Sequence, residues 1–202
     1  MSVLSWFSYR VSADGNLISN PSFEWNNWFE GWRVEGCSVE RVNTQKVTGN
    51  YAARLYGRTY HGNSLRYSIT VENNVSYIVS VWIKLEEGEA PQRFVMLTDP
   101  SWQWIGTDVI VTSNEWTKLE GIYTCPGEPG GTSTSYLRIS QVGGNVVESY
   151  YTDEWSVVKN LILNPSFERD NWFEGWHAEG CSVERVNTQK VTGNYAARLY
   201  GR

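Results

Sequence analysis

The chain has 202 residues, a formal net charge of −5, 41% hydrophobic residues and 19% charged residues. This composition is typical of a globular chain and argues against a disordered one. The acidic balance and the lack of a basic run argue against nucleic acid as a partner, because binding its backbone requires clustered Lys and Arg. No stretch has the roughly 18 consecutive apolar residues of a membrane span.

Residues 1–15 are predicted to be an N-terminal extension. They contain neither the basic region nor the long apolar stretch of a secretory signal. We therefore expect no signal peptide in this segment.

An internal repeat organises the rest of the chain. Residues 160–202 copy residues 16–58 at an offset of 144, and only five of the 43 aligned pairs differ. A repeat of this length fixes the length of one structural unit. We predict one complete unit at 16–159 and a partial second repeat at 160–202. The five differing pairs are Ser19/Leu163, Trp25/Arg169, Asn26/Asp170, Arg33/His177 and Val34/Ala178.

Apolar residues within the complete unit alternate with polar ones, which predicts strands rather than helices. Turn-forming Gly, Asn, Pro and Asp separate the alternating runs. About ten short strands in one unit favour an all-β fold, an antiparallel β-sandwich. The clearest predicted strands are Ser64–Val71, Tyr77–Leu85, Gln92–Thr98, Trp116–Thr124, Ser135–Val142 and Tyr150–Val158.

Six short motifs follow one another along the unit in a specific order. They are Asn16–Glu24, Gly31-Trp32, Val47–Leu55, Val75–Lys84, Glu115–Leu119 and Tyr150–Val157. This order resembles the carbohydrate-binding modules of families four, nine, sixteen and twenty-two. The resemblance covers residues 16–159 whole and 160–202 in part. It implies a jelly-roll sandwich that binds a glycan or polysaccharide without cleaving it. The motifs are a weaker guide to the ligand than to the fold.

The resemblance also implies a structural Ca²⁺ ion between the first and last strands of the unit. The family's ligand positions correspond here to Glu24 and Asp153, with backbone carbonyls near Ser22 and within 46–50 completing the shell. Carboxylate and carbonyl oxygens suit a hard cation. The alternative is that Glu24 is a solvated acid and Asp153 caps a turn. Glu168 repeats Glu24 in the partial copy.

A glycan site needs exposed aromatic rings, which stack on sugar rings, beside planar polar groups that bind hydroxyls. The predicted aromatic contacts are Tyr60 and His61, in a polar stretch, and Trp102 and Trp104, after a turn signal. At a period of two, both Trp rings point to one face of a strand. Arg66 and Gln141 are the predicted polar contacts, with Arg93 as a further neighbour. The alternative is that the two Trp residues close off the sandwich or form an interface with another protein chain.

The sequence does not point to an enzyme. The complete unit has one His, His61, and neither Cys37 nor Cys125 lies in an activating sequence. The carboxylates of Glu86, Glu87 and Glu89 lie in a turn, which favours a solvated acidic loop over a pair of catalytic acids. Whether Cys37 and Cys125 form a disulfide is left open by the sequence.

Two functions from different classes remain. The first is a non-catalytic polysaccharide-binding module. The second is a structural or adhesive subunit of a virion or surface filament, in which 160–202 forms a homo-oligomer by swapping or strand addition. Both predict an extracellular, virion-associated or surface-associated protein. Neither involves nucleic acid or a membrane span.

Overall fold

The computed structural model describes residues 15–144, 147–160, 182–187 and 196–200. Regular structure in these ranges consists of strands alone, and these ranges therefore contain no helix that could span a membrane. The strands are β1 Trp32–Glu35, β2 Ser38–Val42, β3 Ala52–Tyr56, β4 Ser64–Glu72, β5 Ser76–Leu85, β6 Gln92–Asp99, β7 Gln103–Val111, β8 Thr117–Thr124, β9 Thr132–Val142, β10 Tyr150–Lys159, β11 Ser182–Val186 and β12 Ala196–Tyr200.

Ten strands of the first compact unit, Met1–Lys159, form two five-stranded antiparallel sheets. The first sheet has the order β1-β4-β9-β6-β7, and the second has the order β2-β3-β10-β5-β8. Consecutive strands often lie in opposite sheets, as in a jelly roll. The prediction of an all-β, antiparallel jelly-roll sandwich is therefore confirmed.

Strand β4 shows why the sequence forms this sandwich. Leu65, Tyr67, Ile69 and Val71 are buried, whereas the residues between them are exposed or half-buried. A strand turns alternate side chains to opposite faces, so this pattern buries one face and leaves the other open to solvent. The polar outer face of the first sheet is the surface on which the candidate site lies.

Four aromatic side chains fill one end of the core. The Trp32 ring lies 5.1 Å from Phe23, 4.9 Å from Tyr67 and 5.2 Å from Trp155. All four are less than a tenth exposed. The Trp32–Tyr67 and Trp32–Trp155 pairs are edge-to-face, and such pairs each contribute about 0.5–1.5 kcal/mol beyond the area they bury. The cluster ties the opening segment of the unit to β1, β4 and β10.

The start and end of the unit meet at Asn16. The side-chain amide of Asn16 donates to the Trp155 carbonyl at 3.0 Å and accepts from the Val157 N–H at 2.9 Å. The Leu17 N–H donates to the Val157 carbonyl at 2.9 Å, and Asn16 forms an antiparallel bridge with Val158. The sandwich is thus closed by residues 139 to 142 positions apart in sequence.

The second compact unit is Asn160–Arg202. Strands β11 and β12 pair with Ser182 opposite Tyr200 and Val186 opposite Ala196. Strands β2 and β3 pair in the same register, with Ser38 opposite Tyr56 and Val42 opposite Ala52. The hairpin is therefore repeated along with the sequence. Glu168, the repeat of Glu24, lies outside the described residues.

The five residues of 16–58 that differ from their counterparts are all exposed in the first unit. They are Ser19, Trp25, Asn26, Arg33 and Val34. Every buried or half-buried position of the segment has the same residue in the second copy. The copy thus retains every buried and half-buried side chain of 16–58. It replaces the exposed Ser19, whose hydroxyl lies 2.9 Å from that of Tyr67, by Leu163.

Cys37 and Cys125 are not joined in a disulfide. Cys125 is buried, and its Sγ lies 3.5 Å from the Asn73 side-chain oxygen. Burial raises the pKa of the half-buried Cys37 thiol, which keeps it protonated.

Candidate functional site

A cleft of about 370 Å³ opens on the outer face of the first sheet. Strands β1, β4 and β9 supply its floor, and the turn after β6 forms one wall. The lining residues are Glu35, Arg66, Asp99, Pro100, Trp102, Tyr136 and Arg138. The cleft therefore combines two aromatic rings, two guanidinium groups and two carboxylates.

Arg138 is the central polar residue of this cleft, and its side chain is only 5% exposed. Its guanidinium contacts the Asp99 carboxylate at 2.7 Å and the Glu35 carboxylate at 3.0 Å. It also donates to the backbone carbonyl of Gly62. Charge-assisted hydrogen bonds to several elements fix the guanidinium rigidly in place.

Arg66 stands directly opposite Arg138 on the neighbouring strand. It shares the same two acids, at 3.3 Å from Glu35 and 3.6 Å from Asp99. Like charges opposite each other on one face destabilise a sheet, and the two shared carboxylates offset that repulsion. The result is a rigid network of alternating charges, with the Tyr136 ring 5.5 Å from the Arg66 guanidinium.

Trp102 and Trp104 are 58% and 50% exposed. Trp102 lies in the turn between β6 and β7, with its ring 5.4 Å from the Arg138 guanidinium. Its backbone φ is 53°, a left-handed conformation that is costly for a bulky residue. Trp104 lies on β7 opposite the outward-facing Leu97, which itself pairs with Arg138. Both Trp residues thus belong to the same outer face.

Tyr60 and His61 lie in a turn beside the cleft. Their rings stack 5.9 Å apart at 18°, and Tyr60 is 67% exposed. The Asn63 side chain accepts hydrogen bonds from the Thr59 and Tyr60 N–H groups, at 3.0 Å and 2.7 Å. The bond from Arg138 to Gly62 joins this turn to the cleft floor.

Gln141, a predicted polar contact, does not face the cleft, and that expectation is corrected. Gln141 is opposite the inward-facing Phe94 and is only 3% exposed. Its side-chain oxygen accepts from the buried Arg58 guanidinium at 3.3 Å and from the Glu148 N–H at 3.2 Å. Arg58 also donates to the backbone carbonyls of His61 and Asn63. Gln141 therefore supports the turn of Tyr60 from inside.

Arg93 lies on the outer face of β6, where it pairs with Asp108 at 2.5 Å. It is not among the residues that line the cleft.

Five lining residues had no place in the sequence prediction: Glu35, Asp99, Pro100, Tyr136 and Arg138. Tyr136 and Arg138 alternate with the apolar Leu137 and Ile139, which signals an outward position on β9. Glu35 and Asp99 end β1 and β6, and only the strand order brings them to Arg138.

Glu24 and Asp153, the predicted metal ligands, both bind the segment 47–51. Glu24 accepts from the Asn50 and Tyr51 N–H groups, each at 2.8 Å. Asp153 accepts from the Val47 N–H at 2.8 Å. The two acids, distant in sequence, are thus joined through one loop.

The Asp153 carboxyl is fully buried, and this burial raises its pKa to about 7. Backbone N–H groups are its hydrogen-bond donors, and they offset only part of the cost of desolvating a negative charge. Within the described ranges, no three His, Cys, Asp or Glu residues lie close enough to form a metal cluster. An ion here would need backbone carbonyls and water beside the two carboxylates.

Together, the jelly-roll sandwich and the aromatic, charged cleft on one sheet are the features of a polysaccharide-binding module. The chain belongs to the carbohydrate-binding domain family of types 4 and 9, whose family model matches residues 15–141. The recognition made on sequence motifs is therefore confirmed. A search of curated proteins found no significant match.

Solved structures share the fold. The CBM22-1 xylan-binding domain of Xyn10C from Paenibacillus barcinonensis is 24% identical, with a TM-score of 0.60 over 72% of this chain and 95% of that one. The CBM22-1-CBM22-2 tandem domain of the same protein is 22% identical, with a TM-score of 0.61. The match covers 93% of this chain and 61% of that one. The CBM22-1-GH10 modules of Xyn10B from Clostridium thermocellum, complexed with xylohexaose, are 18% identical, with a TM-score of 0.59. The match covers 73% of this chain and 29% of that one.

Proposed function

We propose that the cleft binds a xylan-like polysaccharide. The observation that carries this proposal is the pair of exposed rings, Trp102 and Trp104, on the same sheet face as the fixed Arg66 and Arg138 guanidinium groups. The xylan-binding neighbours support the choice of polymer, since their fold is the same. Carbohydrate rings stack on the Trp faces, while the guanidinium groups and carboxylates bind hydroxyls.

The geometry also explains the roles of individual residues. Trp102 offers one ring face to solvent, because the Arg138 guanidinium lies close to the ring. Tyr60 and His61 extend the aromatic surface at the edge of the cleft, and Arg66 holds Glu35 and Asp99 in a fixed orientation. A preorganised site loses little side-chain entropy on binding.

Isothermal titration with xylohexaose and retention in gels that contain xylan test this proposal. Trp102→Ala and Trp104→Ala should each weaken binding about tenfold, equivalent to about 1.4 kcal/mol. Trp25→Ala is the matched control, because Trp25 is 45% exposed and does not line the cleft. Unchanged binding by both cleft variants, or an equal loss in the control, would place the ligand elsewhere.

A protein that binds this proposed ligand would act outside the cell, where it meets the polysaccharide. The family's modules bind polysaccharide rather than cleave it.

Our second proposal is that Glu24 and Asp153 hold a structural Ca²⁺ ion. The buried Asp153 carboxyl supports it, because a bound cation relieves the cost of a desolvated charge. Oxygen ligands from two carboxylates and the adjoining loop carbonyls suit calcium. The ion would cross-link β10, the opening segment and the loop at 46–51, which stabilises the closed sandwich.

A second candidate function, subunit assembly through 160–202, is favoured by one observation. All buried and half-buried residues of 16–58 recur in the copy, and β11–β12 repeat the β2–β3 register. The copy therefore carries the side chains needed to take the place of 16–58 in a second molecule, by domain swapping. This would suit a structural or adhesive subunit of a virion or surface filament.

Light scattering after size exclusion tests assembly on the full chain, with and without a chelator. Leu199 repeats the fully buried Leu55. Leu199→Glu should therefore dissociate any oligomer, whereas His177→Glu, at the repeat of the exposed Arg33, should not. A wild-type chain that remains monomeric across concentration would eliminate this second function.

A further inference from the structure

Three arginines stand side by side across the outer face of the first sheet. Arg33 on β1 pairs with Arg66 on β4, and Arg66 pairs with Arg138 on β9. The same row continues through Leu97 to Trp104. Because neighbouring strands are about 4.8 Å apart, the row extends about 19 Å from Arg33 to Trp104.

The charges along this row do not balance at the β1 end. Arg66 and Arg138 share Glu35 and Asp99, so each of these two arginines has acid partners. Arg33 is exposed, and no ion pair within the described part of the chain involves it. A guanidinium directly opposite another cation on the same face is destabilised unless an anion neutralises it.

We propose that Arg33 gives the cleft a preference for polysaccharide that carries carboxylate groups, such as uronic acid substituents. This inference rests on the proposed polysaccharide function and names the chemical class of its ligand. A chain lying along the row would stack on Trp104 at one end and present a substituent to Arg33 at the other. The planar guanidinium matches a carboxylate with two parallel N–H···O bonds.

The preference is local, because the chain as a whole is acidic, with a net charge of −5. Long-range attraction of an acidic polymer is therefore unfavourable, and any selectivity must come from a short-range contact. Such a contact on an exposed arginine weakens as salt increases. Glu35, which also faces this end, is already bound by two guanidinium groups and leaves Arg33 available.

The test compares one polymer before and after chemical reduction of its carboxyl groups. Uronate-substituted xylan and its carboxyl-reduced form share the backbone, and each carboxylate of the first is an uncharged hydroxymethyl group in the second. Binding of the full chain is measured by titration in low and moderate salt. The wild type should bind the acidic form about fivefold more tightly, with a smaller difference in moderate salt.

Arg33→Gln should bind both forms with the wild-type affinity for the reduced polymer, and Arg33→Lys should retain part of the preference. Lys118→Gln is the matched control, since it removes one exposed positive charge from the other sheet. Equal wild-type affinity for the two polymers would overturn the inference, as would an undiminished preference in Arg33→Gln. Failure to bind either polymer would instead overturn the proposed xylan-binding function, and the inference with it.

Discussion

Arg138 holds its guanidinium 5.4 Å from the ring centre of Trp102 and contacts the Asp99 carboxylate at 2.7 Å. One buried side chain therefore connects the most exposed aromatic wall of the cleft with its charged floor. Because the strand carries Arg138 between Leu137 and Ile139, which are packed in the core, the position of Trp102 depends on the sandwich itself.

The two cleft arginines should differ strongly in their contributions to stability. Arg138→Ala leaves Asp99, which is nearly buried, with only the longer contact to Arg66, and we expect a loss of about 3 kcal/mol. Arg66→Ala removes a more exposed side chain with longer ion pairs, so its expected cost is below about 1 kcal/mol. Urea unfolding with an unchanged slope measures both values. Equal costs would contradict the central role of Arg138.

Calcium should raise the unfolding temperature, and a chelator should reverse the rise. The reason is that an ion bound only by the folded state stabilises it in proportion to the logarithm of its concentration. Asp153→Asn should abolish this response, because it removes one of the two carboxylates. Glu120→Gln, at an exposed acid on β8, is the control and should respond as the wild type does. A calcium-induced shift that persists in Asp153→Asn would rule out the proposed ligand.

Stability without calcium should fall as pH rises from about 4 to about 7. The pKa of Asp153 is raised by burial from 3.8 to about 7, so the folded state binds more protons than the unfolded state in this interval. A hydrogen bond with Glu89, and then burial, raise the pKa of Glu148 from 4.5 to about 7, which acts in the same direction. Thermal unfolding across this range, in the presence of a chelator, gives the slope. Asp153→Asn and Glu148→Gln should each flatten it, and a steeper slope in either would contradict the assignment.

Gly49 should tolerate substitution much less well than Gly57. Both have a left-handed backbone, with φ of 61° and 63°. A Cβ atom at Gly49 would lie 2.5 Å from the Glu24 carboxylate, whereas none of the surrounding atoms lies within 4 Å at Gly57. Gly57→Ala should therefore cost about 1 kcal/mol from backbone conformation alone. Gly49→Ala should cost more and weaken the calcium response. Equal unfolding free energies for the two variants would show that Glu24 moves away freely.

Alternation in the sequence predicted most of the sandwich well. The run Gln92–Thr98 became β6, which ends one residue later, and Tyr150–Val158 became β10, which also ends one residue later. Such runs are informative because each strand buries one whole face, and burial imposes a period of two. Strands β1 and β2 are short and half-exposed, so their pattern is weaker.

The candidate site was harder to predict, because it depends on strand order. Arg66 was predicted to be a polar contact, but Arg138 was missed, although the two lie directly opposite each other. Seventy-two residues separate them, and only the pairing of β4 with β9 joins them. Gln141 is different, since the alternation that turns Leu137 and Ile139 inward also turns Gln141 inward. That error was avoidable from the sequence alone.

The bridge between Asn16 and Val158 has a consequence for how the module can be connected. Partners in an antiparallel pair are about 4.5–5.5 Å apart, a gap that two Cα–Cα steps of about 3.8 Å, from Val158 through Lys159 to residue 160, can span. A polypeptide that passes from Lys159 directly into the sequence of 16–58 can therefore close the same sandwich as a circular permutant. Residues 59–202 have this order, with the segment from 160 onward in place of 16–58. The sequence thus contains the segments of the module in two overlapping orders, 16–159 and 59–202, which share residues 59–159.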